Sequence, residues 1–190
     1  CNHLQPNFAG GLYAGPYYKC YESEFPYFLT CSVVDGIDLF SDPRICEIIL
    51  KAFMHLQSKL NVKIYGFVIM HNHLHLVAES SNLSEDIRKF KSFTAREIVR
   101  YLESASRIVF LERLKQGKRN HKIESTYQIW EEGSYPKQVN SFKKMESFID
   151  YIHFNPVKAG FVNLPEHWRY SSALNYLGKD GLIPITLFSG

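Results

Sequence analysis

The sequence predicts an α+β fold in which helices pack on an antiparallel sheet. Three observations carry this prediction. Strand-like and helix-like segments follow one another as β-α-β-β-α-(β)-α. Two apolar runs, residues 62–70 and 73–80, are separated by only two residues and read as paired strands. The three longer helical segments each place their apolar residues on one side, as helices resting on a sheet do.

The elements follow in order. Residues 1–24 are rich in Gly, Pro, Asn and Tyr and read as an extended arm. "YFLTCSVV" (27–34) combines β-branched and aromatic residues and reads as a strand. Asp42 suits an N-cap and Pro43 the first helical position. Ile45, Ile48, Ile49, Ala52, Phe53 and Leu56 then recur at helical spacing. "VKIYGFVIM" (62–70) and "HLHLVAES" (73–80) are strands turning at His71-Asn72, because one unbroken strand over that length would be unusual. Asn82 and Glu85 match a capping box. The helix they open buries Leu83, Ile87, Phe90, Ile98 and Leu102 and exposes Arg88, Lys89, Lys91, Arg96 and Arg100. "KQGKRNHK" (115–122) reads as a basic loop and "YQIW" (127–130) as a short strand. Phe142, Met145, Phe148, Ile149 and Ile152 define another helix, which Pro156 should end or kink. "LPEHWRYSSALNYLGKD" reads as a loop and a short helix.

Composition narrows the function classes. The chain has 190 residues, enough for one domain, and is 45% hydrophobic. Its mean hydropathy is −0.21, as in soluble globular proteins. No apolar run approaches the roughly 20 residues that span a bilayer. The opening "CNHLQPNFAG" is neither a signal peptide nor a basic transit segment. It lacks Met, so a start upstream is expected. Cys1, Cys20, Cys31 and Cys46 show no CxxC spacing. That argues for a reduced, cytoplasmic compartment and against a zinc knuckle or disulfide framework. A net charge of +3 is compatible with nucleic acid but does not establish it.

The stretch "IMHNHLHLV" (69–77) holds three of the eight histidines. His73 and His75 are two apart, so a strand puts both on one face, about 7 Å apart along it. Leu74 and Leu76 then point to the opposite face. Two imidazoles so placed can share a metal ion. They can equally sit half-exposed and solvated, and a metal needs a third ligand from elsewhere. On one straight strand through 71–75, His71 would share that face and could be the third ligand; with the turn preferred at 71–72, it points elsewhere.

"IDYIHFNPVKAGFV" (149–162) places Tyr151 and Asn155 four apart, facing one side of a helix. An Asn amide oxygen is a sound ligand for a hard divalent ion. Read alone, Tyr151 is one of twelve tyrosines and Asn155 a residue before a helix-ending proline.

Taken together, "HNHLHLV" and "YIHFNPVKAG" resemble the single-tyrosine HUH transposases, in particular the REP-associated tyrosine transposases of bacteria. "FKSFTAR" (90–96), "IWEEGSY" (129–135) and "WRYSSALNY" (168–176) extend the resemblance across residues 25–178. The resemblance implies a ferredoxin-like (RRM-like) antiparallel sheet. It also implies an arm at 1–24, a catalytic domain at 25–164, and a C-terminal segment at 165–190 that packs on or extends it. His73, His75 and Asn155 would be metal ligands, with Mg²⁺ or Mn²⁺ as the ion, and Tyr151 the nucleophile. His71 stands where the family commonly has Pro. The arm lacks the basic run many relatives carry.

The activity implied is cleavage and rejoining of single-stranded or stem-loop DNA through a 5′-phosphotyrosine. Tyrosine suits this role because its phenolate leaves more readily than a serine alkoxide. Arg88, Lys91, Arg96, Lys143, Lys144, Lys158 and Arg169 are candidate phosphate contacts, and Tyr135 and Trp130 candidate stacking surfaces, with Trp130 better placed in a core. The protein would be cytoplasmic and bacterial, nucleoid-associated when on DNA, and a monomer or homodimer. The competing classes are a nucleic-acid-binding module without catalysis and a metal-dependent phosphodiesterase without a covalent intermediate.

Overall fold

The computed structural model describes residues 25–119 and 125–188. The arm expected at 1–24 and residues 120–122 of the basic loop lie outside them. Strands β1 (Tyr27–Ser32), β2 (Lys63–Ile69), β3 (His73–Glu79) and β4 (Lys137–Gln138) form one antiparallel sheet ordered β2-β3-β1-β4. Helices α1 (Pro43–Leu60), α2 (Leu83–Ser104), α3 (Ile108–Gln116), α4 (Phe142–Lys158) and α5 (Ala173–Tyr176) complete the fold. This strand order with β1-α1-β2-β3-α2 connectivity is the ferredoxin-like arrangement.

The alternation of β3 divides the core. Leu74, Leu76 and Ala78 join Leu29, Cys31, Ile64, Phe67 and Ile69 on the face under α1 and α2. There Phe53 packs on Phe67 (5.6 Å between ring centroids) and Phe90 (5.2 Å). On the other face Phe28, Val68 and Val77 meet Met145, Ile149 and Ile152 of α4. Gly66 permits this close approach, since a Cβ there would lie 2.6 Å from Ile149 Cδ1.

Local signals decide the helix ends. The Asp42 carboxylate accepts from the Arg44 N–H at 3.0 Å, the predicted cap, and α1 stops at Asn61 in the left-handed region. The capping box predicted for α2 does not form, because the Asn82 side chain makes no cap hydrogen bond. Glu85 instead pairs with Arg88, one turn along the exposed face, at 2.6 Å. Ser80 orders the entry, donating to Asp86 at 2.6 Å and accepting from the Asn82 N–H at 3.2 Å.

Three further expectations are corrected. Helix α4 runs through Pro156 to Lys158, and its exit is the positive-φ Gly160. "YQIW" is not a strand: Trp130 makes an isolated bridge with Val33 and is buried, its Nε1–H donating to Thr94 Oγ1 at 3.0 Å. Helix α3 was not legible, and it takes in Lys115 and Gln116 of the expected basic loop. Its Ile108 and Val109 are 60% and 71% exposed, so its apolar residues do not share one face.

Residues 168–172 cover the free edge of β2, which would otherwise present unpaired backbone groups. The Ile69 N–H donates to Tyr170 O (2.8 Å), the Ser172 N–H to Phe67 O (3.0 Å), and Trp168 Nε1–H to Ile69 O (3.0 Å). The fully buried Ser172 Oγ accepts from the Phe67 N–H at 3.0 Å and lies 2.9 Å from His153 Nε2. It therefore ties the C-terminal segment to both β2 and α4.

Ser172→Ala strands a buried N–H and an imidazole nitrogen. It should cost about 1–3 kcal/mol, read as a lower urea midpoint at unchanged slope. Burial also pushes the His153 pKa down to about 4 from 6.5. The unfolded chain binds this proton first as pH falls, so the stability contribution is intact above about pH 6.5 and lost toward pH 4. The urea midpoint in metal-free buffer should be lower at pH 4.5 than at pH 7.5, and His153→Gln should show a smaller drop.

Candidate active site

Strand β3 turns His73 and His75 toward the α4 face, their ring centroids 4.9 Å apart. His71 precedes them in the turn, and its ring packs on Phe161 (4.4 Å) and Trp168 (5.7 Å). The aromatic cluster thus separates His71 from the pair, as its place in the turn predicts.

Each site imidazole is held through Nδ1. Thr30 stands directly across from His75 in the β1–β3 register, its Oγ1 3.0 Å from Nδ1. Asn72 Oδ1 lies 2.8 Å from His73 Nδ1 while Asn72 Nδ2–H donates to Gly36 O at 3.2 Å. That orientation makes the Asn72 oxygen the acceptor and puts the His73 proton on Nδ1, leaving Nε2 with a free lone pair. The Thr30 hydroxyl can accept from His75 Nδ1–H to the same effect. Phe28 forms the floor, stacked on His75 at 5.2 Å and on Phe148 at 4.6 Å.

Burial lowers the pKa of both histidines, and that of His75 falls to about 3. The neighbouring His73 and the Lys137 ammonium push His75 further in the same direction. Both imidazoles are therefore neutral at pH 7, the form that ligates metals.

Helix α4 brings the remaining groups. Its N-cap, Ser141, accepts from the Lys144 N–H at 3.3 Å. Ile149 and Ile152 are buried, which turns Tyr151 outward along the rim of the sheet. The Tyr151 ring meets His75 edge-on at 5.2 Å and Phe28 at 5.7 Å, and is 40% exposed. Asn155 is half-buried one turn further along the same helix side. A ring contact joins Tyr151 to His75 directly, whereas the helix alone places Asn155.

The donor set fits a divalent cation, with two neutral imidazoles anchored through Nδ1 and an amide oxygen on the facing helix. Among the described residues no group of three or more His, Cys, Asp or Glu could hold a metal by itself. A third protein ligand here must come from another residue type, and Asn155 is one.

The candidate phosphate contacts separate into groups. Arg88, Lys91 and Arg96 lie on α2, across the sheet from Tyr151. Arg88 is paired with Glu85, and the Lys91 ammonium donates to the carbonyls of Glu131 and Gly133. Arg96 lines a cleft of about 620 Å³ between α1 and α2. Lys143 and Lys158 line a shallow cleft of about 450 Å³ with Tyr151 and Phe154, and Lys158 Nζ stands 5.7 Å from the Tyr151 ring. Lys144 donates to Gln138 O and Asn140 Oδ1, and Arg169 lies 6.0 Å from the Tyr170 ring. Tyr135 is exposed, but the buried Trp130 is excluded as a stacking surface. Phe28, Thr30, Asn72 and Lys137 were not marked by the sequence. Only the cross-strand register reveals Phe28, Thr30 and Lys137, while the position of Asn72 beside His73 is a weak local signal.

No family model matches the chain. A curated Haemophilus influenzae protein whose name includes "REP-associated tyrosine transposase" is 36% identical over 44 residues, which span 23% of this chain and 25% of that protein. A solved structure described as a REP-associated tyrosine transposase bound to a REP hairpin superimposes with a TM-score of 0.64. It covers 92% of this chain and 95% of its own at 17% identity, a likeness that shows a shared fold. No helix among the described residues is long and apolar enough to cross a membrane. The chain is thus similar to the REP-associated tyrosine transposases in one stretch of sequence and shares its fold with a member of that group.

Proposed function

We propose that this protein is a transposase-type strand transferase that cleaves and rejoins single-stranded, hairpin-containing DNA with Tyr151 as nucleophile. The observation that carries this reading is the meeting of Tyr151 with His75 at 5.2 Å, on the face where His75 meets His73 at 4.9 Å. The relative's name and the hairpin bound in the structural neighbour support it.

A divalent ion, Mg²⁺ or Mn²⁺, held by His73, His75 and Asn155 would supply Lewis-acid activation of the scissile phosphate. Tyr151 Oη attacks phosphorus, and its bond to phosphorus forms as the bond from phosphorus to the 3′ oxygen breaks. The phenol loses a proton and the departing 3′ oxygen gains one. The 5′-phosphotyrosine conserves the phosphodiester bond energy, so another 3′-OH can reverse the step on a different strand. Thr30 and Asn72 fix the imidazole orientations and Phe28 supports the His75 ring. Lys143 and Lys158 offer positive charge along the cleft beside Tyr151.

Two outcomes test this. With a labelled hairpin oligonucleotide carrying single-stranded flanks and Mn²⁺, the wild type should form an adduct that survives SDS, and Tyr151→Phe none. Cleavage surviving in Tyr151→Phe would sink the covalent route in favour of a phosphodiesterase, and binding without cleavage in any metal would indicate a module without catalysis. Separately, in Mn²⁺ titrations followed calorimetrically, His73→Ala and His75→Ala should bind at least about tenfold more weakly. Asn72→Ala, altering only the support of His73, should lose about 10-fold. Unchanged affinity in both histidine variants would remove the metal from this site.

A further inference from the structure

We propose that Lys137 is a catalytic residue of this site, its ammonium binding the non-bridging oxygens of the phosphate that Tyr151 attacks. The inference rests on the strand-transfer reading above and adds a group that the sequence did not mark.

The two-residue strand β4 places Lys137 directly across from Phe28 in the antiparallel β1–β4 register. Directly opposed residues share a face of the sheet, so Lys137 lies on the α4 face with the histidines. Its Nζ stands 5.9 Å from the Phe28 ring centroid. The same ring lies 5.2 Å from His75 and 5.7 Å from Tyr151. One aromatic floor therefore carries an ammonium, a candidate ligand and the candidate nucleophile.

Lys137 also lacks the employment that other cations have. Lys63 pairs with Glu79, Arg88 with Glu85 and Arg119 with Glu131. Lys137 is exposed and is in none of these ion pairs. The acidic side chains lining the cleft beside Tyr151, Glu146 and Asp150, belong to α4. The centre itself, formed by His73, His75, Thr30, Phe28, Tyr151 and Asn155, has no negative group. A phosphodiester placed there would meet no carboxylate within this group of side chains.

In-line attack concentrates negative charge on the equatorial phosphate oxygens, and a fixed cation beside them is worth most at that moment. Lys137 and Lys158 would share this charge, reaching it from β4 and from α4. As Tyr151 Oη bonds to phosphorus and the 3′ oxygen leaves, one proton departs from the phenol and one joins the 3′ oxygen. Lys137 keeps its own protons throughout.

The test is single-turnover adduct formation at saturating hairpin DNA in Mn²⁺. Lys137→Ala should lower the rate by about 100-fold, while hairpin affinity and Mn²⁺ affinity stay within about threefold of wild type. Lys137→Gln, which keeps the stem over Phe28, should behave alike. Lys137→Arg, which restores charge, should recover at least about tenfold of the loss, and Lys59→Ala, on the far end of α1, should match wild type. A Lys137→Ala and Lys137→Gln pair reacting within about twofold of wild type would overturn the inference and leave the strand-transfer reading standing. A rate loss matched by an equal loss of Mn²⁺ affinity would also overturn it, as would failure of Arg to recover activity. A wild type that forms no adduct removes the strand-transfer reading and this inference with it.

Discussion

The close docking of α4 on the sheet is the constraint on which the candidate site depends. A ferredoxin-like sheet buries one face under α1 and α2 and leaves the other to be covered. Here α4 covers it, and Gly66 allows a contact that any side chain would obstruct at Ile149. Ile149 and Ile152 point into the sheet, which fixes the rotation of the helix and presents Tyr151 to His75. The Ser172 bonds to Phe67 and near His153 hold the same helix from its other side. A small rotation of α4 would separate phenol and imidazole without unfolding anything.

Burial then sets the chemistry of the histidines. On an exposed strand they would titrate near neutral pH. Buried in the sheet, with His75 stacked on Phe28, both are held neutral, with Nδ1 occupied by Asn72 and Thr30. The arrangement spends each imidazole's first nitrogen on orientation and leaves the second for a ligand. Lys137 stands over the Phe28 ring and Lys158 over the Tyr151 ring, while Glu146 and Asp150 line the cleft on the α4 side. Neutral ligands beside two ammonium groups suit a polyanionic substrate better than an anionic centre would.

Several residues were legible because their signal is local. The two-residue phase of His73 and His75 needs only that the segment be a strand. The four-residue spacing of Tyr151 and Asn155 needs only a helix. Asp42 and Pro43 mark their helix start by side-chain chemistry available within one turn. Local rules fail where a competitor intervenes. Glu85 matches a capping box yet turns to Arg88, and Pro156 matches a helix stop yet sits buried within the last turn of α4. Helix α3 turns Phe110, Leu111 and Leu114 to the core but exposes Ile108 and Val109, which blurs its apolar face, and Arg88, Lys91 and Arg96 lie on α2, across the sheet from Tyr151.

The sequence by itself determined the periodicities of the longer elements: where β1, β2, β3, α1, α2 and α4 run, and which side chains share a face within each. Those follow from backbone geometry that repeats every two or 3.6 residues. Only the tertiary structure decided what each face meets. The β1–β3 register put Thr30 beside His75, and the β1–β4 register put Lys137 over Phe28. The turn sent His71 to Phe161 and Trp168 rather than to its neighbours two and four residues on. These contacts join residues tens of positions apart. They depend on strand order and helix docking, which no short-range pattern encodes.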